Sequence, residues 1–177
     1  MKQGQNTKGF MLYRSKERAK LYGEVFTPPE IVDMMLDMVK EDIENIYKTV
    51  LEPSCGNGNF VVAIVERRMK AAKNDREKLI GLSNVYGIDI MEDNIMETRE
   101  RTMKVVEQYI SSPKAIKVAQ HIINTNIIHG DFLLMQYVKT KEDILIYRYE
   151  IPEDFENFTY ITVKLCEIQK NYVPKLF

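Results

Sequence analysis

The chain has 177 residues, of which 45% are apolar and 29% are charged, and its formal net charge is −1. This composition is typical of a globular protein with one core, and the charge gives no overall basic footprint of the kind that nucleic-acid-binding proteins usually carry. No segment approaches the roughly 20 apolar residues of a membrane span, and the N-terminus lacks an apolar signal core. We therefore expect a cytoplasmic protein without a membrane association.

Cysteine and histidine are scarce in the chain. Cys55 and Cys166 are too few for a disulfide framework and fit a reducing compartment. His121 and His129 have no cluster of further ligands at metal spacing, so we expect no bound metal.

Residues 1–22 are predicted to form a basic, helical N-terminal arm that precedes a single domain over residues 23–177. The arm contains one acid, Glu17, against these basic residues: Lys2, Lys8, Arg14, Lys16, Arg18 and Lys20. Two interpretations stay open. The arm is either a solvated extension, or it contacts the phosphate groups of DNA or a protein partner.

The first strong helix signal is Thr27-Pro28-Pro29-Glu30. Thr27 can cap a helix, Pro28 suits the first helical position, and Glu30 completes a capping box. Apolar residues then recur at helical spacing: Ile31, Val32, Met35, Val39, Ile43 and Ile46. This pattern predicts one amphipathic helix over residues 28–47.

Strand and helix patterns alternate in the rest of the chain. Strands are predicted over residues 49–53, 85–90, 126–129, 143–149 and 159–165, and helices over residues 59–73, 92–110 and 114–122, with a polar loop at 73–78. Alternation of this kind predicts the α/β class, with a mostly parallel sheet and helices on both faces.

Residues 51–60, LEPSCGNGNF, lie where the first of these strands gives way to a helix. Gly56 and Gly58 mark a tight turn that lets a ligand approach the backbone closely. A phosphate-binding Walker loop is excluded, because Gly58 is not followed by Lys and then Ser or Thr. A dinucleotide fingerprint is not matched either, because Val61 stands where a third glycine or an alanine is needed.

Two further predicted strands also end in polar residues. Asp89 can accept hydrogen bonds from both hydroxyls of a ribose, and Asp131 and Phe132 can offer a carboxylate to an adenine amino group and a ring to stack on the base. Asp89 lies 31 residues beyond Gly58, rather than the about 20 that dinucleotide binding requires. Each signal alone also fits a plain turn or a helix cap, but together they predict a ligand with a ribose and no pyrophosphate.

Four segments resemble motifs of the S-adenosylmethionine-dependent DNA adenine-N6 methyltransferases of restriction and phage systems, and they occur in that family's order. The segments are residues 23–32 (GEVFTPPEIV), 51–60, 87–90 (GIDI) and 127–132 (IIHGDF). The resemblance implies the Rossmann-like class I methyltransferase fold and S-adenosylmethionine as the cofactor. It also implies the cofactor-binding residues: Phe26, Thr27, Glu52, Ser54, Gly56, Gly58, Phe60, Asp89, Ile90, Asp131 and Phe132.

The catalytic loop of that family is not recognisable in this chain. The loop reads Asn or Asp, then Pro-Pro, then Tyr or Phe after the fourth strand, and the chain contains no Asn-Pro or Asp-Pro dipeptide. Residues 143–146 resemble the fourth strand, which would place Arg148 where the asparagine belongs. A guanidinium only donates hydrogen bonds, so it cannot accept one from the target amine. We expect a domain abbreviated at its C-terminal end, with its catalytic residues unknown.

Two functions follow from the resemblance and stay open at this stage. The first is an S-adenosylmethionine-binding component of DNA adenine methylation. It would depend on a protein partner for catalysis and target recognition, and DNA would be reached through that partner or the basic arm. The second is a catalytically silent, methyltransferase-like binding or regulatory protein of a phage or restriction-modification system. A methyltransferase of another substrate class, with an unrelated catalytic loop, is the remaining alternative.

Overall fold

The computed structural model describes residues 4–5 and 11–171. Its strands are β1 (Gly4–Gln5), β2 (Met11–Tyr13), β3 (Val50–Glu52), β4 (Val85–Asp89), β5 (Ile127–Asp131), β6 (Gln136–Tyr137), β7 (Leu145–Glu150) and β8 (Thr159–Lys164). Its helices are α1 (Lys16–Tyr22), α2 (Pro29–Asp37), α3 (Lys40–Glu44), α4 (Asn59–Ala71), α5 (Asp75–Ser83), α6 (Glu92–Tyr109), α7 (Pro113–Asn126) and α8 (Leu165–Asn171). None of the described helices is long and apolar enough to cross a membrane.

Strands β3 to β6 form the main sheet, in the order β3-β4-β5-β6. The first three are parallel, with Val50 opposite Val85 and Gly87 opposite Ile127, and β6 runs antiparallel to β5. Every residue of β4 is buried, as expected for a central parallel strand that is covered on both faces. The predicted α/β fold with a mostly parallel sheet is confirmed.

One face of the main sheet is covered by helices around the larger of two apolar cores. Helix α4 packs between α2 and α6, and α5 and α7 complete the layer. Each helix packs against the sheet through an apolar stripe, and in α4 this stripe consists of Val61, Ile64 and Val65.

Arg68 is a charged side chain inside this apolar layer and is fully buried. Its guanidinium donates to the carbonyl oxygens of Ile43 and Gly81, both at 2.9 Å, and of Lys48 at 2.6 Å. Burial lowers the pKa of Arg68 to about 10, so the side chain stays charged at neutral pH. Through these three carbonyl groups, Arg68 joins α4 to three other parts of the chain, which are α3, α5 and the segment before β3.

The opposite face of the main sheet is covered by a β-hairpin and a short helix. Strands β7 and β8 pair antiparallel, and α8 follows them. Ile144, Ile146 and Leu165 pack on Tyr86 in a smaller apolar cluster. The Tyr86 hydroxyl donates to the carbonyl oxygen of Tyr147 at 2.6 Å, which holds the hairpin against the sheet.

The hairpin corrects the prediction for the C-terminal strands. Residues 143–149 and 159–165 do contain strands, but these pair with each other instead of extending the main sheet. Arg148 lies inside β7, opposite Ile161, so it is not part of a loop that follows a parallel strand. Contacts between aromatic side chains stabilise antiparallel pairs of this kind, and the hairpin supplies them with Tyr147, Tyr149 and Tyr160.

The single helix predicted over residues 28–47 is wrong in two respects. Helices α2 and α3 are separated by Met38 and Val39, and the φ of −125° at Val39 interrupts the helical backbone. The N-cap of α2 is Pro28 rather than Thr27, and no side chain caps this helix.

Helix α5 begins inside the polar stretch at residues 73–78, for which the sequence predicts a loop. The Asn74 side chain accepts a hydrogen bond from the backbone N–H of Glu77 at 2.9 Å and so caps the helix. Leu79 and Leu82 then pack into the larger core. Asn followed by Glu three residues later is a helix-start signal that the polar composition of this stretch concealed.

Candidate functional site

The carboxyl ends of β3, β4 and β5 meet at one edge of the main sheet, the edge at which parallel sheets bind ligands. The loop after β3 turns at Gly56, whose φ is +54°. The Gly56 N–H donates to Oδ2 of Asp89 at 2.9 Å. The glycine loop and the acid at the end of β4 are therefore in direct contact.

Asp89 is almost completely buried, and backbone and side-chain donors orient its carboxylate. The Met91 N–H donates to Oδ1 at 2.8 Å, and the Asn94 side-chain amide donates to the same oxygen at 3.3 Å. A carboxylate offers about four acceptor positions, so Asp89 retains capacity for the hydroxyl groups of a ligand.

A cavity of about 90 Å³ opens beside this carboxylate. The structure brings together five predicted residues in its lining: Phe26, Ser54, Gly56, Asp89 and Ile90. The sequence did not predict the other lining residues, which are Tyr22, Gly23, Glu24, Val25, Met91 and Asn94. Each of these lies within four residues of Phe26 or Ile90, and this proximity is the signal that could have found them.

The N-terminal arm closes the cavity on one side. Arg18 of α1 forms an ion pair with Glu24 and donates to Oδ2 of Asp93 at 2.6 Å. Arg14 forms an ion pair with Glu97, further along the same helix α6. Burial alone would raise the pKa of Asp93, but the hydrogen bond from Arg18 and the charges of both arginines lower it. The arm is thus held against the first turns of α6 by opposite charges.

These ion pairs bear on the two interpretations of the basic arm. Arg14 and Arg18 are neutralised by acids of the same chain. Lys16 and Lys20 are exposed and remain candidates for contact with a phosphate or a partner. Lys2 and Lys8 lie outside the described residues.

Gly58 meets a packing requirement of the chain itself. Its φ is +88°, and a Cβ atom at this position would lie 2.7 Å from both Oγ1 and Cγ2 of Thr98 on α6. At Gly56 a Cβ atom would lie 3.2 Å from the ring of Phe26. Gly58 is absent from the lining of the cavity, so the close approach in this structure is to a helix.

Three other predicted residues near the glycine loop lie outside the cavity. The Thr27 carbonyl oxygen accepts a hydrogen bond from Nδ2 of Asn59 at 2.8 Å, which joins the segment before α2 to the start of α4. Phe60 packs against the larger core. Glu52 accepts a long hydrogen bond of 3.4 Å from the Ser54 N–H, and burial raises the pKa of Glu52.

Asp131 is the last residue of β5 and Phe132 follows it, and both lie outside the cavity lining. Oδ1 of Asp131 accepts a hydrogen bond from the Leu134 N–H at 3.1 Å and closes a turn. Phe132 packs against the smaller apolar cluster. The adenine contacts that the resemblance implies for these two residues stay predictions.

A larger groove of about 540 Å³ lies beside β5, between α6 and the hairpin. None of the predicted site residues lines it. Three of its charged side chains are already engaged, since Lys139 pairs with Glu92 and Arg99 donates to the carbonyl oxygens of Ile127 and Asn124. The predicted cofactor residues therefore point to the smaller cavity and not to this groove.

The family model described as N-6 DNA Methylase matches residues 5–99, a range that includes the glycine loop and Asp89. Over 126 residues the chain is 34% identical to the Type II methyltransferase M.BstVI of Geobacillus stearothermophilus, a match that covers 66% of this chain and 22% of that protein. Over 134 residues it is 28% identical to the Type II methyltransferase M.VspI of Vibrio sp. (strain 343), with 75% and 25% covered. No solved structure matches the chain.

A shorter match of 71 residues, 32% identical, relates the chain to the Type II restriction enzyme and methyltransferase RM.BcgI of Heyndrickxia coagulans, with 40% of this chain and 11% of that protein covered. The chain thus spans a quarter or less of the length of these relatives.

Proposed function

This chain belongs to the N-6 DNA methylase family, and we propose that it is the S-adenosylmethionine-binding part of a DNA adenine-N6 methyltransferase of the restriction-modification type. One observation carries the proposal. The Gly56 N–H bonds to the carboxylate of Asp89, and this contact places the glycine loop and a buried acid together beside a cavity.

The residues of the cavity fit the groups of S-adenosylmethionine. Asp89 offers acceptor positions to the ribose hydroxyls, and Ile90 offers an apolar surface to the adenine. Glu24 is a second carboxylate in the lining, and it suits the ammonium group at the methionine end. When bound, the cofactor supplies the methyl group.

Binding would require movement of the arm. Pockets for ligands of this size measure about 300 Å³ or more, whereas the cavity measures about 90 Å³. Gly23 directly follows the arm and caps helix α1 with a φ of +65°, so this residue is a natural point for the backbone to rotate. Displacement of α1 would also release Glu24 from Arg18.

Catalysis and target recognition are proposed to come from another polypeptide segment. The sequence contains no Asn-Pro or Asp-Pro dipeptide, and Arg148 lies inside an antiparallel hairpin. DNA would be reached through that segment or through the exposed lysines of the arm. The alternative of a catalytically silent regulatory protein is not favoured by the relatives, whose names are those of methyltransferases.

Calorimetric titration of the 177-residue protein with S-adenosylmethionine tests the proposal. We expect binding, and we expect Asp89→Ala to weaken it by about 1–3 kcal/mol, the cost of leaving ligand hydroxyls without their charged acceptor. Asp42→Ala is the control, because Asp42 is an exposed acid paired with Lys48 away from the cavity. A titration of the wild-type protein without heat at millimolar ligand would overturn the proposal.

A further inference from the structure

Asn94, in the first turn of α6, is a buried amide surrounded by three charged side chains. It is 1% exposed. Its amide nitrogen donates to Oε2 of Glu24 at 3.1 Å and to Oδ1 of Asp89 at 3.3 Å. Its amide oxygen accepts a hydrogen bond from Nε of Arg14 at 3.0 Å. Asn94 therefore connects the N-terminal arm to the acid of the cavity.

The charges around Asn94 favour one orientation of its amide group. The carboxylates of Asp89 and Glu24 accept hydrogen bonds, whereas the guanidinium of Arg14 only donates them. A rotation of the amide by 180° would place its oxygen against both carboxylates and its N–H groups against the guanidinium. Arg14 therefore fixes the direction in which Asn94 donates to Asp89.

Arg14 is anchored independently of helix α1. The Phe26 N–H donates to the Leu12 carbonyl oxygen at 2.7 Å, and this hydrogen bond ties together the chain segments before and after α1. Arg14 lies two residues beyond Leu12, and it also pairs with Glu97 of α6. Movement of α1 away from the cavity would break the ion pairs of Arg18 and would leave the anchor of Arg14 in place.

The face of α6 that carries Asn94 also holds the glycine loop. Thr98 lies one turn after Asn94, on the same face of the helix, and its hydroxyl donates to the Gly56 carbonyl oxygen at 3.0 Å. The Gly56 N–H in turn donates to Asp89. One face of α6 thus orients both partners in the contact between the glycine loop and the acid.

We infer that Asn94 is a positioning residue of the cofactor site: it holds the Asp89 carboxylate in the orientation that binds a ribose, and Arg14 holds Asn94 in turn. Without the amide, the Met91 N–H would be left as the donor to Oδ1, and the carboxylate would be freer to rotate. Arg18 closes the cavity, whereas Arg14 and Asn94 determine how tightly a bound ligand is held. This inference rests on the proposed function, because that proposal names S-adenosylmethionine as the ligand.

Calorimetric titration of variants at Asn94 with S-adenosylmethionine tests the inference. We expect Asn94→Ala to bind about tenfold more weakly than the wild type, because a donor to a charged acceptor is lost. Introduced into Asp89→Ala, the same substitution should change the dissociation constant by less than about twofold, since the carboxylate that Asn94 positions is then absent. A residue that only stabilised the fold would weaken binding equally in both backgrounds.

Arg14→Met tests the same connection without changing the lining of the cavity, and it decides the question if Asn94→Ala does not fold. We expect about threefold weaker binding, the effect of losing one hydrogen bond that acts through another side chain. The control is Arg67→Met. The Arg67 side chain is 16% exposed and that of Arg14 is 22% exposed, but Arg67 pairs with two acids of α2, so its substitution should leave the affinity unchanged.

Nuclear magnetic resonance of the ligand-free protein gives a readout that does not depend on S-adenosylmethionine. The Met91 N–H donates to the same oxygen of Asp89 as the Asn94 amide, so its chemical shift reports the orientation of the carboxylate. We expect the Met91 amide resonance to move in Arg14→Met and to stay in place in Arg67→Met.

Three results would overturn the inference. The first is a folded Asn94→Ala, or Arg14→Met in its place, that binds S-adenosylmethionine as tightly as the wild type. The second is equal weakening by Asn94→Ala in the wild-type and Asp89→Ala backgrounds. The third is an unchanged Met91 resonance in Arg14→Met. Absent binding by the wild type would instead remove the proposed function, and the Met91 resonance would then decide whether Asn94 holds the carboxylate of Asp89.

Discussion

A Cβ atom at Gly58 would lie 2.7 Å from Thr98, so the second glycine of the loop is required by the contact between the loop and helix α6. Thr98 cannot yield easily, because it is fully buried and its hydroxyl donates to the Gly56 carbonyl oxygen at 3.0 Å. The glycine loop is therefore shaped by α6 before any ligand binds.

We expect Gly58→Ala to destabilise the fold. The positive φ costs about 1 kcal/mol in a residue with a Cβ atom, and overpacking against Thr98 adds about 1–3 kcal/mol. Gly23→Ala is the matched control, because Gly23 also has a positive φ but nothing lies within 4 Å of its would-be Cβ atom. Urea unfolding measures the free energy of unfolding of each variant. Equal losses in the two variants would show that Thr98 imposes no constraint.

Arg68 should be a major determinant of stability. Arg68→Met leaves the buried carbonyl groups of Ile43 and Gly81, and the partly buried one of Lys48, without this donor, and we expect a loss of about 3 kcal/mol or more in the free energy of unfolding. Arg67→Met is the control from the next position in the chain. Arg67 pairs with exposed acids of α2, and such pairs contribute about 0–1 kcal/mol each. Similar losses in the two variants would contradict this view of Arg68.

The fold was predictable where local signals decide the structure. The strands β3, β4 and β5 follow from apolar runs bounded by glycine and polar residues, and their parallel order follows from the helices between them. The strands β7 and β8 were also predicted, but not their partners. An alternating pattern such as that around Tyr147 identifies a strand and its two faces, whereas the choice of neighbour depends on contacts between distant residues.

The site was predictable to the same extent. Phe26, Gly56 and Asp89 lie in segments whose motifs are contiguous, and the structure brings them to one cavity. The closure of that cavity by the arm was not predictable, because Arg18 and Asp93 are 75 residues apart in the chain. From the charge composition alone, the basic residues of the arm would be expected to be unpaired. In the structure, part of their charge is neutralised by acids of the same chain.

Release of the arm should speed the binding of S-adenosylmethionine. Arg18→Gln removes the ion pairs to Glu24 and Asp93 that hold α1 over the cavity, and partly exposed pairs contribute about 0.2–1 kcal/mol each. We expect the association rate constant in stopped-flow fluorescence to rise by about two- to thirtyfold. Lys16→Gln, an exposed change in the same helix, should leave the rate unaltered. A slower association in Arg18→Gln would mean that the docked arm belongs to the binding-competent state.

The pH dependence of arm docking gives a second measure of the same contact. The pKa of Asp93 is lowered in the folded protein. Ionised Asp93 therefore stabilises the docked arm fully at pH values above its ordinary pKa of 3.8, and this stabilisation is lost as the pH falls through the lowered pKa. Hydrogen exchange of α1, corrected for the intrinsic rate, should therefore increase on acidification below about pH 4 in the wild type. In Asp93→Asn the exchange of α1 should already be fast at neutral pH.

The final prediction is that this chain alone does not methylate adenine in DNA. Transfer to an exocyclic amine needs an acceptor that holds the nitrogen in line with the methyl group, and such positioning can supply several kcal/mol of the barrier. Loss of one contact made in the transition state commonly slows a reaction by about 10²–10³-fold. The sequence offers no Asn-Pro or Asp-Pro dipeptide to supply the family's acceptor loop, and Arg148 is a donor inside a hairpin.

Tritiated S-adenosylmethionine and mixed-sequence DNA provide the assay, with the chain at high concentration and the complete M.BstVI as the positive control. We expect no transfer of label to adenine, even under conditions in which calorimetry shows the cofactor bound. Transfer above one methyl group per protein molecule, abolished by Asp89→Ala, would show that side chains of this chain complete the active site. The proposal that catalysis comes from another polypeptide segment would then be withdrawn.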